Sequence, residues 1–285
     1  MDERQPASRA SLYRSWPRYE AADKGFRNYW YPVIESRRLG SKPKAVKVVG
    51  EPIMLMRDGD KVRALHDRCP HRGVPLSAGR SEFPGMISCI YHGWTYRLAD
   101  GELCAALTDG PDSPICGKAI VRVKTYPVEE RGNIIWVYVG DEPAPPIEED
   151  VPEEFLAENA VVIPMIELRK GDWRYAMENA VDEAHARYLH RKTPFAFFRL
   201  FPAYQTDVQM VPSEDGKWLR RLSKPVFGPQ SYPGVGTWPR DGFWRKAGGQ
   251  VIVGKARLPG VFYVGHKNWQ DFQFFTPVDE NHHLM

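Results

Sequence analysis

Short runs of apolar residues recur through the first half of the chain, and polar residues with Gly and Pro separate them. Runs bounded in this way by turn residues are typical of strands in a compact antiparallel β unit. We predict strands at residues 45–49, 53–56, 62–66, 86–90, 119–123 and 134–139.

The pattern changes after residue 140. Residues 140–155, GDEPAPPIEEDVPEEF, are rich in Pro and acidic residues and predict a linker. Residues 172–190 contain neither Gly nor Pro and begin with Asp172, which favours a helix with an aspartate N-cap. From about residue 203 the β character returns, and residues 251–265 and 272–285 look like paired strands. The chain is therefore predicted to be a β domain followed by an α+β domain.

Composition and charge narrow the class of protein. The 285 residues, 42% of them hydrophobic and 26% charged, suit a globular protein of roughly two domains. The net charge is only +3 without a basic stripe, which argues against nucleic acid as a partner. The N-terminus is charged and lacks the apolar core of a signal peptide, and the longest apolar run, residues 134–139, is too short to cross a bilayer. We therefore expect a cytoplasmic protein without a membrane partner.

Four residues with metal-binding side chains stand in two mixed pairs, each in a loop that contains Gly. The pairs are Cys69 with His71 and Cys89 with His92. A structural zinc site accepts two Cys and two His, but zinc modules usually place like ligands together. A two-iron cluster with two thiolates on one iron and two imidazoles on the other needs one of each from two loops. Four unrelated buried residues are the remaining alternative. Cys104 and Cys116 are expected to pack as small hydrophobes.

The stretch from Cys69 to Trp94 resembles the Rieske motif C-x-H-x17-C-x2-H. Val74 and Tyr91 lie where respiratory Rieske proteins carry an extra cysteine pair, so the chain is similar to the oxygenase branch. The segments GFRNYWYPV, DRCPHRGVPLS, YHGWTYR, KTYPVEE and PVDENHH extend the resemblance to Rieske non-haem iron ring-hydroxylating oxygenases, in the group of carbazole 1,9a-dioxygenase terminal oxygenases.

A second set of candidate residues lies in the predicted helix. Asn179, Asp182 and His185 recur every three residues and would share one helical face. His190 follows His185 by five residues, so both can bind one metal only if the helix ends, bulges or overwinds between them. Two surface histidines on an amphipathic helix are the alternative.

This segment is similar to the iron-binding signature of the same family, roughly E/N-x-x-D-x-x-H-x4-H. The resemblance implies that His185 and His190 bind a mononuclear Fe(II) together with a later carboxylate. It also implies that Asp182 links His185 to His71 or His92 of a neighbouring subunit, with Asn179 beside it in the catalytic site.

The third iron ligand is not found in the sequence. The late acidic candidates are Asp271, Asp279 and Glu280, and Asp279-Glu280-Asn281 predicts a hairpin turn. We expect that the functional protein has a further C-terminal segment that supplies this carboxylate.

The resemblance implies an α+β fold: an N-terminal antiparallel β Rieske [2Fe-2S] domain followed by an α+β catalytic domain with an antiparallel sheet of the helix-grip type. The expected divisions are an N-terminal helical segment (1–26) that packs on the catalytic domain, the Rieske domain (27–140), the linker (141–155) and the catalytic domain (156–285).

The implied function is that of a terminal oxygenase. A homotrimer would take NAD(P)H electrons through a reductase, a ferredoxin or both, and would use O₂ to hydroxylate a small aromatic or heteroaromatic substrate. Dioxygenation, monooxygenation and demethylation stay open. The alternative from another class is a Rieske ferredoxin-like electron carrier with an added non-catalytic domain.

Overall fold

A computed structural model describes residues 17–157, 159–182, 185, 189, 209–222, 231–234, 236–237, 253–266 and 269–285. Within them the chain is an α+β protein of antiparallel sheets and short helices, which confirms the predicted fold class. The helices are α1 (Pro17–Glu20), α2 (Glu153–Leu156) and α3 (Trp173–Val181). Among these residues no helix is long and apolar enough to cross a membrane.

The N-terminal half, residues 27–140, consists of three antiparallel sheets. Sheet order is β1-β10-β9, β2-β3-β4-β8 and β5-β6-β7. The strands are β1 (Tyr29–Glu35), β2 (Lys44–Val48), β3 (Glu51–Asp58), β4 (Lys61–His66), β5 (Met86–Ser88), β6 (Trp94–Arg97), β7 (Leu103–Ala106), β8 (Thr125–Tyr126), β9 (Val128–Arg131) and β10 (Ile134–Val139).

Strand β3 lies between two hydrophobic cores. Ile53 and Leu55 belong to a core that also contains residues of β1 and β10. Met54 and Met56 belong to a second core that contains Cys69 and other residues near it. Because side chains alternate across a strand, one apolar run can serve both cores, and this explains why it reads as continuous rather than alternating.

Most of the strands predicted in this half are found, with ends that differ by a few residues. The exception is residues 119–123, which were predicted as a strand. Ala119–Val121 is instead a turn of 3₁₀ helix, and Ile120 is 88% exposed. The apolar residues of this run therefore do not share a sheet face, and only Val123 is buried, with its N–H bonded to Gly101 O at 2.9 Å.

The C-terminal half, residues 156–285, contains α3 and three further sheets among its described residues. Sheet order is β12-β13-β16-β17-β18, β11-β20-β19 and β14-β15. The strands are β11 (Leu168–Lys170), β12 (Gln209–Pro212), β13 (Leu219–Leu222), β14 (Ser231–Tyr232), β15 (Gly236–Thr237), β16 (Val253–Arg257), β17 (Val261–His266), β18 (Trp269–Phe274), β19 (Thr276–Asp279) and β20 (His282–Leu284).

Helix α3 begins as predicted and ends earlier than predicted. The Asp172 carboxylate accepts from the N–H of Arg174 at 2.8 Å, which confirms the N-cap. The helix was predicted to reach residue 190, but it ends at Val181, since Asp182 has an extended backbone (φ −80°, ψ 95°). A helix that continued through Asp182 would place the like charges of Glu178 and Asp182 one turn apart, which is unfavourable.

The segment between the halves is packed. Asp150 accepts from the N–H of Trp30 at 2.9 Å, and Ile147, Val151 and Phe155 are buried in a core shared with Trp136. The connection predicted as a linker is thus anchored to the N-terminal half.

Backbone hydrogen bonds join the two halves directly. The N–H groups of Val49 and Gly50 donate to Pro277 O (2.8 Å) and Val278 O (3.0 Å). A side-chain contact joins them as well: Phe26, near the start of the described chain, packs edge-on against Trp173 of α3, with ring centroids 5.7 Å apart.

Candidate metal centre

The first candidate loop, residues 69–74, closes on itself through the backbone of Cys69. The N–H of Cys69 donates to Val74 O (2.9 Å), and the Cys69 carbonyl accepts from the N–H of Gly73 (2.8 Å). Gly73 has φ +74°, a conformation that favours glycine. The loop therefore holds Cys69 and His71 on one tight turn after β4.

The second loop, residues 89–94, repeats this arrangement. The N–H of Cys89 donates to Trp94 O (2.8 Å), and its carbonyl accepts from the N–H of Gly93 (3.0 Å). Gly93 has φ +64°, and a Cβ there would lie 2.9 Å from the Cβ of Leu107. The two loops thus offer Cys and His from equivalent backbone positions, except that His92 lies one residue further from its cysteine.

The structure brings the two imidazoles together. The rings of His71 and His92 have centroids 4.6 Å apart. The His71 ring also stacks on Trp94, with 4.5 Å between ring centroids and 10° between ring planes. The ring centroids of Tyr91 and His92 are 4.0 Å apart. Both histidines are half-buried. The Trp94 indole therefore covers one face of the His71 imidazole.

The two thiols lie deeper. Cys69 is 1% exposed and Cys89 is 4% exposed, both in the second core of this half. The hydroxyl of Tyr96 lies 3.4 Å from Cys69 Sγ. A thiolate carries no proton, so with Cys69 bound to a metal the Tyr96 hydroxyl is the donor.

Burial controls the ionisation of these groups. Burial raises the pKa of the Cys89 thiol, and the neighbouring Cys69 sulfur raises it further, while N–H groups of Tyr91 and His92 oppose the shift. Burial, followed by the hydrogen bond with Cys69, also raises the pKa of Tyr96. Tyr96 therefore remains protonated and able to donate, while metal binding must displace the thiol protons.

The residues present fit a two-iron cluster. The sulfur pair is buried and the imidazole pair is half-buried, so each pair can hold a different iron, with thiolates on the inner one. N–H groups of Tyr91 and His92 already act on the Cys89 sulfur, as expected around a cluster whose sulfurs accept hydrogen bonds.

Polar residues that were not predicted from the sequence stabilise these loops through hydrogen bonds. The Thr95 hydroxyl donates to Gly93 O at 3.1 Å and therefore accepts from the Ser88 hydroxyl at 2.8 Å. Asp67 accepts from both the N–H and the hydroxyl of Ser77, each at 2.6 Å. The available signal was position: Asp67, Ser88 and Thr95 each lie within two residues of a candidate ligand loop.

The second candidate site is described only in part. Nδ1 of His185 is hydrogen-bonded to the carbonyl oxygen of Asp182 and lies 3.9 Å from its carboxylate. Because a carbonyl can only accept, Nδ1 carries the proton, and Nε2 is then the ring atom with a lone pair for a metal. Asn179 is exposed on α3. His190 lies outside the described residues. Among the described residues no three His, Cys, Asp or Glu side chains surround a single metal position, so the four residues of the first site can serve only as two pairs, one pair for each iron.

The late acidic residues have structural partners. Asp279 accepts from Lys47 (3.0 Å) and from the N–H of Asn281 (3.0 Å), and Glu280 pairs with Lys24 at 3.0 Å. Asp271 accepts from Gln273 at 2.8 Å. Strands β19 and β20 pair around Glu280 and Asn281, which confirms the predicted hairpin turn.

Comparison with known proteins agrees with this geometry. Residues 29–127 match the family described as the Rieske [2Fe-2S] domain, and residues 138–203 match the family described as homotrimeric ring hydroxylase.

Relatives match along almost the whole chain. The terminal oxygenase component of carbazole 1,9a-dioxygenase from Metapseudomonas resinovorans is 33% identical over 95% of this chain and 73% of its own length. The counterpart from a Sphingomonas species is 37% identical over 98% and 77%. A solved reduced complex between oxygenase and ferredoxin in carbazole 1,9a-dioxygenase superposes with a TM-score of 0.78 at 32% identity, covering 93% of this chain and 71% of that one.

Proposed function

The chain belongs to the Rieske non-haem iron ring-hydroxylating oxygenases as a terminal oxygenase component, and from this premise we propose how its residues divide the work. Cys69, Cys89, His71 and His92 hold the [2Fe-2S] cluster, and His185 and His190 hold a mononuclear Fe(II). The observation that carries the proposal is the pair of loops with equivalent backbone bonds, which present two buried thiols and two adjacent imidazoles.

The [2Fe-2S] cluster held by Cys69, His71, Cys89 and His92 would supply one-electron storage, and the mononuclear iron held by His185 and His190 would supply the chemistry that activates O₂. The protein's own residues set the path between them. His71 and His92 are the half-buried ligands, so electrons enter and leave on the imidazole side, while the thiols face the core.

Asp182 is proposed to connect the two kinds of site between subunits. Its side chain is 56% exposed, at the point where α3 ends, and its carbonyl orients His185. An exposed carboxylate in this place can accept a hydrogen bond from His71 or His92 of a neighbouring subunit. The match to homotrimeric ring hydroxylases over residues 138–203 supports such a neighbour.

The proposed partners are a ferredoxin, an NAD(P)H-dependent reductase and a small aromatic or heteroaromatic substrate. The ferredoxin is supported by the complex solved for the related oxygenase. The substrate class is supported by relatives that act on carbazole. The proposed reaction is hydroxylation with O₂, and relatives named as dioxygenases make dioxygenation the first expectation.

Turnover with isotopic oxygen tests this proposal. The purified protein would be supplied with NADH, a carbazole dioxygenase-type ferredoxin and its reductase, and a panel of aromatic compounds under ¹⁸O₂. We expect a product that carries two ¹⁸O atoms. One ¹⁸O atom would establish monooxygenation instead. A cluster that is reduced and reoxidised without any product from the panel would favour the electron-carrier alternative.

A further inference from the structure

Asp67 is a buried carboxylate two residues before the first cluster ligand. It follows directly after β4 and is 8% exposed. Its Oδ1 accepts from the N–H of Ser77 and its Oδ2 accepts from the Ser77 hydroxyl, each at 2.6 Å. Both carboxylate oxygens of Asp67 are therefore bonded to Ser77, and these two bonds close the segment 67–77, which contains Cys69 and His71.

Ser77 also connects the first ligand loop to the second. It lies in a 3₁₀ turn, Leu76–Ala78, which is followed by Gly79 and Arg80. The backbone of Arg80 pairs with Ser88 through two hydrogen bonds (3.0 and 2.8 Å). Ser88 immediately precedes Cys89, so a displacement at Asp67 would reach both cysteine ligands.

Gly79 makes this connection tight. A Cβ at this position would lie 2.4 Å from Ser88 O, so only glycine permits the close approach. The 3₁₀ turn is therefore pressed against the strand that leads into the second loop.

The two loops have the same backbone hydrogen bonds but differ in the charge of the side chains that stabilise them. The second loop is braced by the neutral hydroxyls of Ser88 and Thr95, with Thr95 donating to Gly93 O at 3.1 Å. The first is braced by the Asp67 carboxylate, which water screens little at 8% exposure. A fixed negative charge near a redox centre opposes the addition of an electron.

We propose that Asp67 is a positioning residue for the cluster, whose clamp on Ser77 fixes both ligand loops and whose charge keeps the reduction potential low. The proposal rests on the cluster assigned above and concerns residues of this chain alone. A low potential favours the onward transfer of electrons to the mononuclear iron.

Four variants separate charge from geometry. Asp67→Asn removes the charge and keeps an acceptor. Asp67→Glu keeps the charge and disturbs the fit. Ser77→Ala keeps the charge and removes one hydrogen bond. Ser88→Ala is the matched control, because it removes a hydroxyl from the neutral brace of the other loop.

The measurements are a redox titration followed by electron paramagnetic resonance, the rate of iron release to a chelator, and the melting temperature of the cluster-free protein. Asp67→Asn should raise the ratio of reduced to oxidised cluster about tenfold at a fixed potential, a shift of about 59 mV. Asp67→Glu and Ser77→Ala should stay within about threefold of wild type, release iron faster and melt at lower temperature. Ser88→Ala should leave the potential unchanged.

An unchanged potential in Asp67→Asn would overturn the role of the charge. A rise in Asp67→Glu equal to that in Asp67→Asn would do the same. If the Asn variant assembles poorly, a tenfold rise in Asp67→Glu relative to wild type would by itself overturn the role of the charge, because the Glu variant keeps that charge. Wild-type rates of iron release in Ser77→Ala would overturn the clamp. A wild-type protein without any reducible centre would instead overturn the cluster assignment, and this inference with it.

Discussion

The two candidate metal sites are built in different ways. In the N-terminal half, four candidate ligand residues stand in two loops that close through their own backbone hydrogen bonds between short strands. In the C-terminal half, Asp182 and His185 come after a helix has ended, and Asp182 is 56% exposed. The first site is defined by bonds within each loop, whereas the second depends on where a helix stops and on what approaches it. The following experiments test how far the two sites are independent, starting with the largest expected effect.

Removal of one cluster ligand should empty the first site and leave the C-terminal half folded. Cys89→Ser should abolish the visible absorption and cluster iron, because each iron has only two protein ligands and this variant leaves one iron with Cys69 alone. Iron and sulfide analysis with far-ultraviolet circular dichroism would measure this. Cys104→Ser is the matched control, since Cys104 is a half-buried thiol near Arg97 (3.5 Å) and should retain the cluster. Global unfolding of Cys89→Ser would show that the halves are not independent.

Removal of Asp182 should separate electron storage from product formation. Asp182→Ala should keep the cluster reducible but lower product formation roughly 10- to 100-fold, as for other residues that orient a metal ligand. Single-turnover oxidation of the reduced cluster in the presence of substrate is the measurement. Glu214→Ala, an exposed acid in the same half, is the control. Near-normal turnover in Asp182→Ala would remove this residue from the electron path.

Two glycines with similar backbone angles distinguish strain from steric contact in the N-terminal half. Gly93 (φ +64°) would place a Cβ 2.9 Å from Leu107, whereas Gly110 (φ +89°) has nothing within 4 Å. Each alanine variant should lose about 1–2 kcal/mol from the left-handed backbone. Gly93→Ala should lose about 1–3 kcal/mol more because of overpacking. Equal losses in denaturant unfolding would contradict the close contact with Leu107.

Acid should weaken the N-terminal half through Glu51. Burial alone would raise the pKa of Glu51, but hydrogen bonds from Tyr126, Arg27 and Lys124 outweigh it and hold the pKa below its ordinary 4.5. Since the folded pKa is the lower one, the stabilisation is present above pH 4.5 and is lost as the pH falls through the folded value.

Glu51→Gln should therefore cost about 1–3 kcal/mol at pH 7 and flatten the acid slope of stability. Asp279 provides the comparison in the other half: hydrogen bonds from His282 and Lys47 lower its pKa, but Lys47 is 43% exposed. Asp279→Asn should have a smaller effect, because solvent screens an exposed pair. Urea unfolding between pH 3 and pH 7 is the measurement, and a larger loss of stability in Asp279→Asn than in Glu51→Gln would contradict this prediction.

The smallest effect is expected from Tyr96, whose hydroxyl lies 3.4 Å from Cys69 Sγ. Tyr96→Phe should lower the reduction potential by roughly 30 mV, about threefold in the ratio of reduced to oxidised cluster, because a hydrogen bond to sulfur favours the reduced state. The cluster content should not change. A potential identical to wild type would mean that the hydroxyl does not donate to the sulfur.

The sequence alone determined the loop geometry of the first candidate site because that geometry is local. Each loop is closed by bonds between residues four and five positions apart, and Gly73 and Gly93 supply the positive φ that the turn requires. The Cys-His spacing, the turn residues and the flanking apolar strands therefore carried enough information to predict two tight loops with a Cys and a His in each, and the β character around them. The N-cap at Asp172 was predictable for the same reason, since its contact with Arg174 spans two residues.

Only the tertiary structure decided the features that depend on distant partners. The end of α3 at Val181 was not predicted, because sequence propensity favoured continuation and residues 159 positions away, such as Tyr19 with Glu178, contact this helix. The burial of Asp67 and the approach of Tyr96 to a sulfur likewise follow from packing between loops and strands. Hydrophobic periodicity specifies which face of an element is buried, but the identity of the group on the other side is decided only when the sheets come together.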